Sequence, residues 1–373
     1  MVGGGPGAFI GGVHRMAARL DGRWTLTAGA FSSDPTVSQA FGRELRLAPE
    51  RSYSDWQRMA QAEAGRDDGV DAVAIVTPNH LHAPIATAFL EAGIAVICDK
   101  PLTVDLTQAR ALAALVERTG LPFILTHNYS GYPMVREART LATSGRLGAL
   151  RVVQVEYAQD WLARDLPGNR QADWRGDPAR AGPGGALGDI ATHAFHLAGF
   201  VTGARTLALS ADLSSFVPGR RVDDNVHVQM RLAGGARGQL WASQVAVGAA
   251  NGLRLRVYGE DAGLEWSQEE PDLLRYTRLG EAPQILRRGG PCLSLAAAAA
   301  TRLPAGHPEG YLEGFAQIYA DAAELIEGRR DGRPPAELAS LVPGVEAGVE
   351  GVAFIEAVVA SHRADGAWTE LSA

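Results

Sequence analysis

A chain of 373 residues is more than one ordinary hydrophobic core accommodates, so two domains are expected. Hydrophobic residues at 46% against 21% charged fit a globular protein, and a net charge of −7 argues against a nucleic-acid partner or an anionic membrane surface. Two cysteines, Cys98 and Cys292, without metal-ligand spacing around them, exclude a disulfide framework, suggest no zinc site and fit a reduced, cytoplasmic setting.

The chain opens without a basic segment leading into a long apolar run, and no stretch reaches the roughly 18 apolar residues of a membrane span. Residues 3–11 read Gly-Gly-Gly-Pro-Gly-Ala-Phe-Ile-Gly. Gly3, Gly5, Gly7 and Gly11 fall where a first strand turns into a helix. Glycine there permits a tight turn and a close backbone approach to pyrophosphate, and Ala8, Phe9 and Ile10 would offer helix-start amides. Such a strand normally needs about five residues before its turn, yet only Met1 and Val2 precede Gly3. Either the strand is very short or its start lies upstream of Met1.

A second strand is expected over 26–30, followed by Phe31-Ser32-Ser33-Asp34. The acidic residue that usually holds the adenosine ribose at this point is replaced by serine. Ser32 and Ser33 become the ribose candidates. No Arg or Lys stands beside them to neutralise a 2′-phosphate, which favours NAD and leaves NADP as the alternative. Strands follow at 72–76, 94–98 and 123–125, with amphipathic helical stretches at 84–92 and 106–119. This alternation predicts a doubly wound parallel sheet in an α/β fold. The texture changes near residues 126–130. Strands at 151–157, 207–212, 225–232, 236–244, 253–258 and 263–266 succeed one another with tight turns, as in an antiparallel sheet. The apolar stretch 293–300 reads as a loop or helix lead-in, and helices return at 310–327 and 345–360. A sheet with an apolar face to cover predicts a homo-oligomer, a dimer or tetramer.

Three further segments complete an ordered set: Thr77-Pro78-Asn79-His80-Leu81-His82, Asp99-Lys100-Pro101 and Gly188-Asp189-Ile190-Ala191-Thr192-His193. With the glycine-rich start they resemble the Gfo/Idh/MocA oxidoreductases, the family of glucose-fructose oxidoreductase and inositol dehydrogenase. The segment Gly306-His307-Pro308-Glu309-Gly310-Tyr311 resembles the sugar- and inositol-dehydrogenase branch. The resemblance implies an NAD(P)-binding Rossmann domain at 1–126. It implies a substrate-binding and oligomerisation α/β domain at 127–373, built on a large, open, mainly antiparallel sheet. Lys100, Asp189 and His193 match the family's catalytic lysine and D-x-x-x-H pair. Two positions depart from the pattern: Asp99 stands where glutamate is usual, and Ser32 where an acidic residue is usual.

Oxidising a secondary alcohol needs a base for the hydroxyl proton while hydride leaves the carbon, and histidine titrates near neutrality. Asp189 and His193 are four apart, on one helix face, so His193 is expected to be the base and Asp189 its partner and a substrate contact. Lys100 closes an apolar strand at the ligand-binding end of the sheet, where an ammonium can stabilise developing alkoxide charge. Thr77, Asn79, His82 and Asp99 sit at strand ends expected to face the cofactor, with Asn128, Trp174 and Arg175 as further cofactor candidates. Tyr129, His307 and Tyr311 are substrate candidates, and His196 is a second histidine on the Asp189 helix. The expected activity is hydride transfer between nicotinamide and a secondary alcohol carbon of a sugar, inositol or related cyclic polyol, with no metal. A redox-neutral lyase or glycosidase using the same residues and a non-catalytic dinucleotide sensor are the alternatives.

Overall fold

The computed structural model describes residues 1–372 and divides into two units, Met1–Asn128 with Phe315–Val349, and Tyr129–Gly314 with Glu350–Ala373. The first unit opens with β1 (Val2–Gly3), α1 (Phe9–Leu20), β2 (Gly29–Ala30), α2 (Pro35–Glu44), β3 (Ser52–Tyr53) and α3 (Trp56–Ala64). It continues through β4 (Ala72–Val76), α4 (His82–Glu91), β5 (Ala95–Cys98), α5 (Leu106–Thr119) and β6 (Phe123–Leu125). Among the described residues its strands form one parallel sheet in the order β3-β2-β1-β4-β5-β6. That is the order of a dinucleotide-binding fold, with its switch point between β1 and β4. β5 is buried throughout, which is why it reads as an unbroken apolar run. Asp34, Asp55 and Asp105 cap α2, α3 and α5 by accepting first-turn amides.

In the second unit α6 (Pro133–Thr143) precedes β7 (Leu150–Ala158), α7 (Arg170–Arg175), α8 (Pro178–Ala181), α9 (Thr192–Thr202), β8 (Thr206–Ser214), β9 (Asn225–Leu232) and β10 (Arg237–Ser243). β11 (Gly252–Gly259), β12 (Ala262–Ser267), β13 (Leu273–Arg278), β14 (Gln284–Arg287) and α10 (Leu295–Ala300) follow, then α11 (Tyr311–Arg330), α12 (Val345–Arg363) and β15 (Thr369–Glu370). Among the described residues nine strands form a sheet ordered β14-β13-β12-β11-β7-β10-β9-β8-β15. It is antiparallel except where β7 and β10 run parallel, with Gln154 opposite Gln239. One face carries Val153, Val155, Leu240, Leu255 and Trp266 into a core closed by α6 and α9. Phe195 of α9 stacks on Phe354 at 4.2 Å in that core.

Three sequence expectations change. β2 is Gly29–Ala30 rather than 26–30, because it meets β1 at the single pair Val2–Ala30. Phe315–Val349 groups with the first unit instead of the second. Its α11 segment is tied there by Trp24, whose indole N–H donates to the Tyr319 carbonyl at 2.8 Å. The outer face of the nine-stranded sheet is mixed rather than apolar: Gln154 donates to Gln239 and Arg256 pairs with Glu265, while Val152 and Tyr258 lie opposite one another on the same face, both exposed. Glu337–Arg363 is long and apolar enough to cross a membrane by composition, but 61% of its apolar window is buried within the protein, as in a core helix.

Candidate active site

In the first unit the glycine-rich turn has little room for side chains. A Cβ at Gly3 would come within 2.5 Å of the Val76 carbonyl oxygen, one at Gly5 within 2.5 Å of that of Phe31, and one at Gly11 within 2.4 Å of the Gly4 Cα. Gly7 differs: its φ is +77, and nothing lies within 4 Å of the Cβ position, so the backbone faces open space. α1 then starts at Phe9 without a side-chain cap from Ala8, leaving its first-turn amides to a ligand. Thr77 Oγ1 is buried without a hydrogen-bond partner. These features fit a dinucleotide pyrophosphate. At the ribose corner Ser32 Oγ accepts from the Asp34 amide at 3.1 Å, Ser33 is exposed, and the Asp34 carboxylate is occupied in capping α2.

The ends of β4 and β5 are tied together by His82. Its ring is wholly buried, with Nδ1 at 2.9 Å from the Pro101 carbonyl and Nε2 at 2.9 Å from that of Thr77. His82 was expected to face the cofactor. Both ring nitrogens face backbone carbonyls, and burial favours the neutral ring, so His82 donates to one of the two and orders the loops carrying Thr77 and Lys100 instead. Asn79 is buried in the turn between β4 and α4, and Asn128 is buried at the end of the unit. The Lys100–Pro101 peptide is cis.

Behind Lys100 lies a chain that the sequence did not signal. The buried His14 ring meets the Tyr319 hydroxyl at 2.7 Å through Nδ1 and Asp99 Oδ1 at 3.0 Å through Nε2. Thr126 donates to the same Asp99 oxygen at 2.6 Å. Burial pushes the Asp99 carboxyl up, but the His14 ring and the bonds from His14 and Thr126 outweigh it and hold the pKa below its ordinary 3.8. A depressed folded pKa gives stability that is present above the unfolded value and lost as pH falls through the folded one. His14→Leu should remove that protection, so the variant should melt lower than the native protein above about pH 4, and the gap should shrink as pH falls further. Melting curves between about pH 3 and 6 check it, and an unchanged acid limb would count against the account.

In the second unit a π-helical turn, Leu187–Ala191, runs into α9 and carries Asp189. Such turns often mark functional positions. Asp189 Oδ2 accepts from Gln244 Nε2 at 2.8 Å and pairs with Arg175 Nε at 3.2 Å. The Arg175 guanidinium also lies 4.5 Å from the Trp174 ring and 5.8 Å from that of Trp161. Arg175 is therefore engaged with Asp189, and Trp174 supports it. His193, one turn beyond Asp189, meets the Tyr129 ring edge-on at 5.0 Å. The Tyr129 and Tyr157 hydroxyls are 2.5 Å apart, and Tyr157 donates to Asn251 Oδ1 at 2.8 Å. Burial raises both phenol pKa values, so both stay protonated. Tyr311 adds a ring 6.5 Å from Tyr129.

The remaining candidates are less central. His196 stacks on Phe200, and burial, with the Arg139 charge, lowers its pKa to about 3. That leaves a neutral packing histidine, poorly matched to base catalysis near pH 7. His307 is exposed, and its carbonyl accepts from the buried Arg288. Tyr157, Asn251 and Gln244 were missed by the sequence reading. Strand alternation could have turned Tyr157 inward, but nothing in the sequence brings Asn251 to it.

Residues 1–127 match the family model of the oxidoreductases with an NAD-binding Rossmann fold, and residues 135–265 match the GFO/IDH/MocA C-terminal domain. The uncharacterised oxidoreductase YfiI of Bacillus subtilis (strain 168) is 37% identical over 377 residues, covering 99% of this chain and 95% of its own. An oxidoreductase from Sinorhizobium meliloti has a crystal structure that superposes with a TM-score of 0.90 at 49% identity, covering 99% and 98%. An inositol dehydrogenase homolog from Azotobacter vinelandii, complexed with NADH and myo-inositol, superposes at 0.91 with 36% identity, covering 99% and 96%.

Proposed function

The chain belongs to the Gfo/Idh/MocA oxidoreductases, and on that premise we propose that it interconverts a secondary alcohol and a ketone on a pyranose, an inositol or a related cyclic polyol. Its first unit is an NAD-binding Rossmann domain. Bound NAD supplies the acceptor for hydride. Gly3, Gly5, Gly7 and the amides of Phe9 and Ile10 would hold the pyrophosphate, with Ala8, whose amide donates to the Gly5 carbonyl at 3.1 Å, shaping the turn and Ser32 and Ser33 at the ribose. Thr77, Asn79, Asp99 and Asn128 would line the nicotinamide side.

His193 takes the hydroxyl proton, and Lys100 donates to the same oxygen as negative charge develops. Asp189, gripped by Arg175 and Gln244, acts as an orienting acceptor for a substrate hydroxyl and for the His193 ring. The observation that carries this reading is the placement of Asp189 and His193 beside the Tyr129–Tyr157–Asn251 hydrogen-bond chain. Buried phenols and amides suit a ligand that presents hydroxyls around its ring. We further propose a homodimer or homotetramer built on the outer face of the nine-stranded sheet, where Val152 and Tyr258 are exposed among polar residues, working in the cytoplasm.

A screen of cyclic polyols and sugars with each cofactor, followed at the NADH absorbance band, tests the reading. Net NADH formation is expected, with NAD bound at least about tenfold more tightly than NADP, about 1.4 kcal/mol. Substrate consumption without net NADH would replace it by the redox-neutral lyase or glycosidase reading.

A further inference from the structure

The helix that carries Asp189 has no cap of its own, since Ala186 at its start makes no side-chain bond, and a helix start leaves amides unmet. Three successive amides there find one distant residue. Gly185 N donates to Asp223 Oδ1 at 2.7 Å, Ala186 N to the Asp223 carbonyl at 3.0 Å, and Leu187 N to Asp223 Oδ2 at 2.8 Å. The Asp189 amide in turn donates to the Gly185 carbonyl at 2.9 Å. A Cβ at Gly185 would fall 2.1 Å from the Asp223 carbonyl oxygen, so a side chain there would force the two segments apart. Asp223 is 7% exposed and lies between β8 and β9. The next residue extends the grip. The Asp224 carbonyl accepts from Gln244 N at 2.9 Å, and Gln244 Nε2 reaches Asp189 Oδ2.

We propose that Asp223 is a positioning residue, a cap supplied from elsewhere in the chain, whose carboxylate fixes the height and rotation of the turn presenting Asp189 and His193. The proposal rests on the functional reading above, in which those two residues act on a polyol. A carboxylate at a helix start also meets the positive end of the helix dipole. Burial nonetheless pushes the Asp223 pKa up to about 6, against the pull of the Leu187 and Gly185 amides. A buried carboxylate kept at such a disadvantage needs a purpose beyond packing. Misplacement of catalytic groups by about 1 Å costs roughly 10²-fold in rate.

Asp223→Asn keeps one acceptor and turns an NH₂ toward the second amide. Asp223→Ala removes both acceptors, and if it does not fold, Asp223→Asn decides. Ser361→Ala is the stability control. It deletes a buried hydroxyl that accepts from Ala211 N at 2.9 Å and donates to the Ala367 carbonyl at 2.7 Å. The readouts are kcat and KM with NAD and a cyclic polyol, NADH affinity by calorimetry, and the His193 ring signals by NMR without substrate. Asp223→Asn should lower kcat by about 10- to 100-fold, with KM and NADH affinity changed far less. It should also move the His193 signals. Ser361→Ala should lower the melting temperature yet leave turnover and the His193 signals in place. Wild-type turnover in Asp223→Asn together with unmoved His193 signals would overturn the proposal. Should the native protein turn over no polyol, the functional reading fails by itself. The substrate-free His193 signals then decide the cap: a shift in Asp223→Asn supports it, and no shift overturns it.

Discussion

Replacing His193 or Lys100 by alanine should each lower turnover by at least about 10²-fold while leaving NAD affinity comparatively unchanged. In the proposed reaction the two groups act on different moments of one oxygen's chemistry. The imidazole removes the proton, worth roughly 10²–10⁴-fold in general base catalysis. The ammonium stabilises the alkoxide, and loss of one such donor costs about 10²–10³-fold. Both effects belong to the transition state, so KM should move less than kcat. In that reading the cofactor would be held by the glycine-rich turn and the ribose corner, which neither substitution touches. Asp189→Asn should fall between these variants and the native protein, and should raise KM if its carboxylate holds a substrate hydroxyl. The double variant should lose less than the product of the two single losses, because residues acting as a unit are non-additive. Steady-state kinetics across about pH 6 to 10, with calorimetric NAD titrations, decide the matter. A His193→Ala enzyme of near-native activity over that range would move the base elsewhere. Loss of NAD binding in both variants would make them structural residues.

The second large effect is expected at Gly11. An added Cβ there meets the Gly4 Cα at 2.4 Å and its carbonyl oxygen at 2.7 Å, and these are backbone atoms with nowhere to yield. Gly11→Ala should therefore push α1 away from the turn after β1. Overpacking of this kind costs about 1–3 kcal/mol, and displacement of the helix start should weaken NAD binding by at least about tenfold, or 1.4 kcal/mol. The neighbouring Gly12→Ala is the contrast. Its Cβ would approach only the Arg15 guanidinium, at 4.0 Å, within a helix. It should leave NAD binding intact and raise stability by up to about 1 kcal/mol, from better helix propensity. Thermal melts and calorimetric titrations of the two variants side by side check this, and equal behaviour would refute the steric account.

What the sequence revealed was mostly local. β4, β6, β9 and α5 have the bounds that their apolar runs and periodicity predict, because each pattern is complete within its own segment. β13 and β14 escaped notice, since Arg275 and Thr277 interrupt the apolar run of β13, and β14 is only four residues long with Ile285 exposed. The site divides in the same way. The proposed catalytic residues Lys100, Asp189 and His193 stand in short contiguous motifs, which the sequence displays directly. Their supports are not contiguous: His14 reaches Tyr319 across 305 positions, and Asp223 caps a turn 36 to 38 residues earlier. Spacing statistics carry no trace of such pairings, which only the folded chain creates. His82 shows the reverse error. A histidine just past a strand end looks like a ligand, but this one turns its ring nitrogens to backbone carbonyls and donates to one of them.

The return of Phe315–Val349 to the first unit has a consequence for how the protein is made. A ribosome delivers β1 to β6 early, yet Tyr319, whose hydroxyl meets His14 and whose carbonyl receives the Trp24 indole, emerges only after β7 to β14. Until then the nascent dinucleotide domain holds a bare seam along α1. Contacts of such long sequence separation form slowly, and an unsealed apolar surface invites association with other chains. The segment from Phe315 thus acts as a latch that biosynthesis closes last, and a chain cut short before it would leave His14 and Trp24 without their Tyr319 partner.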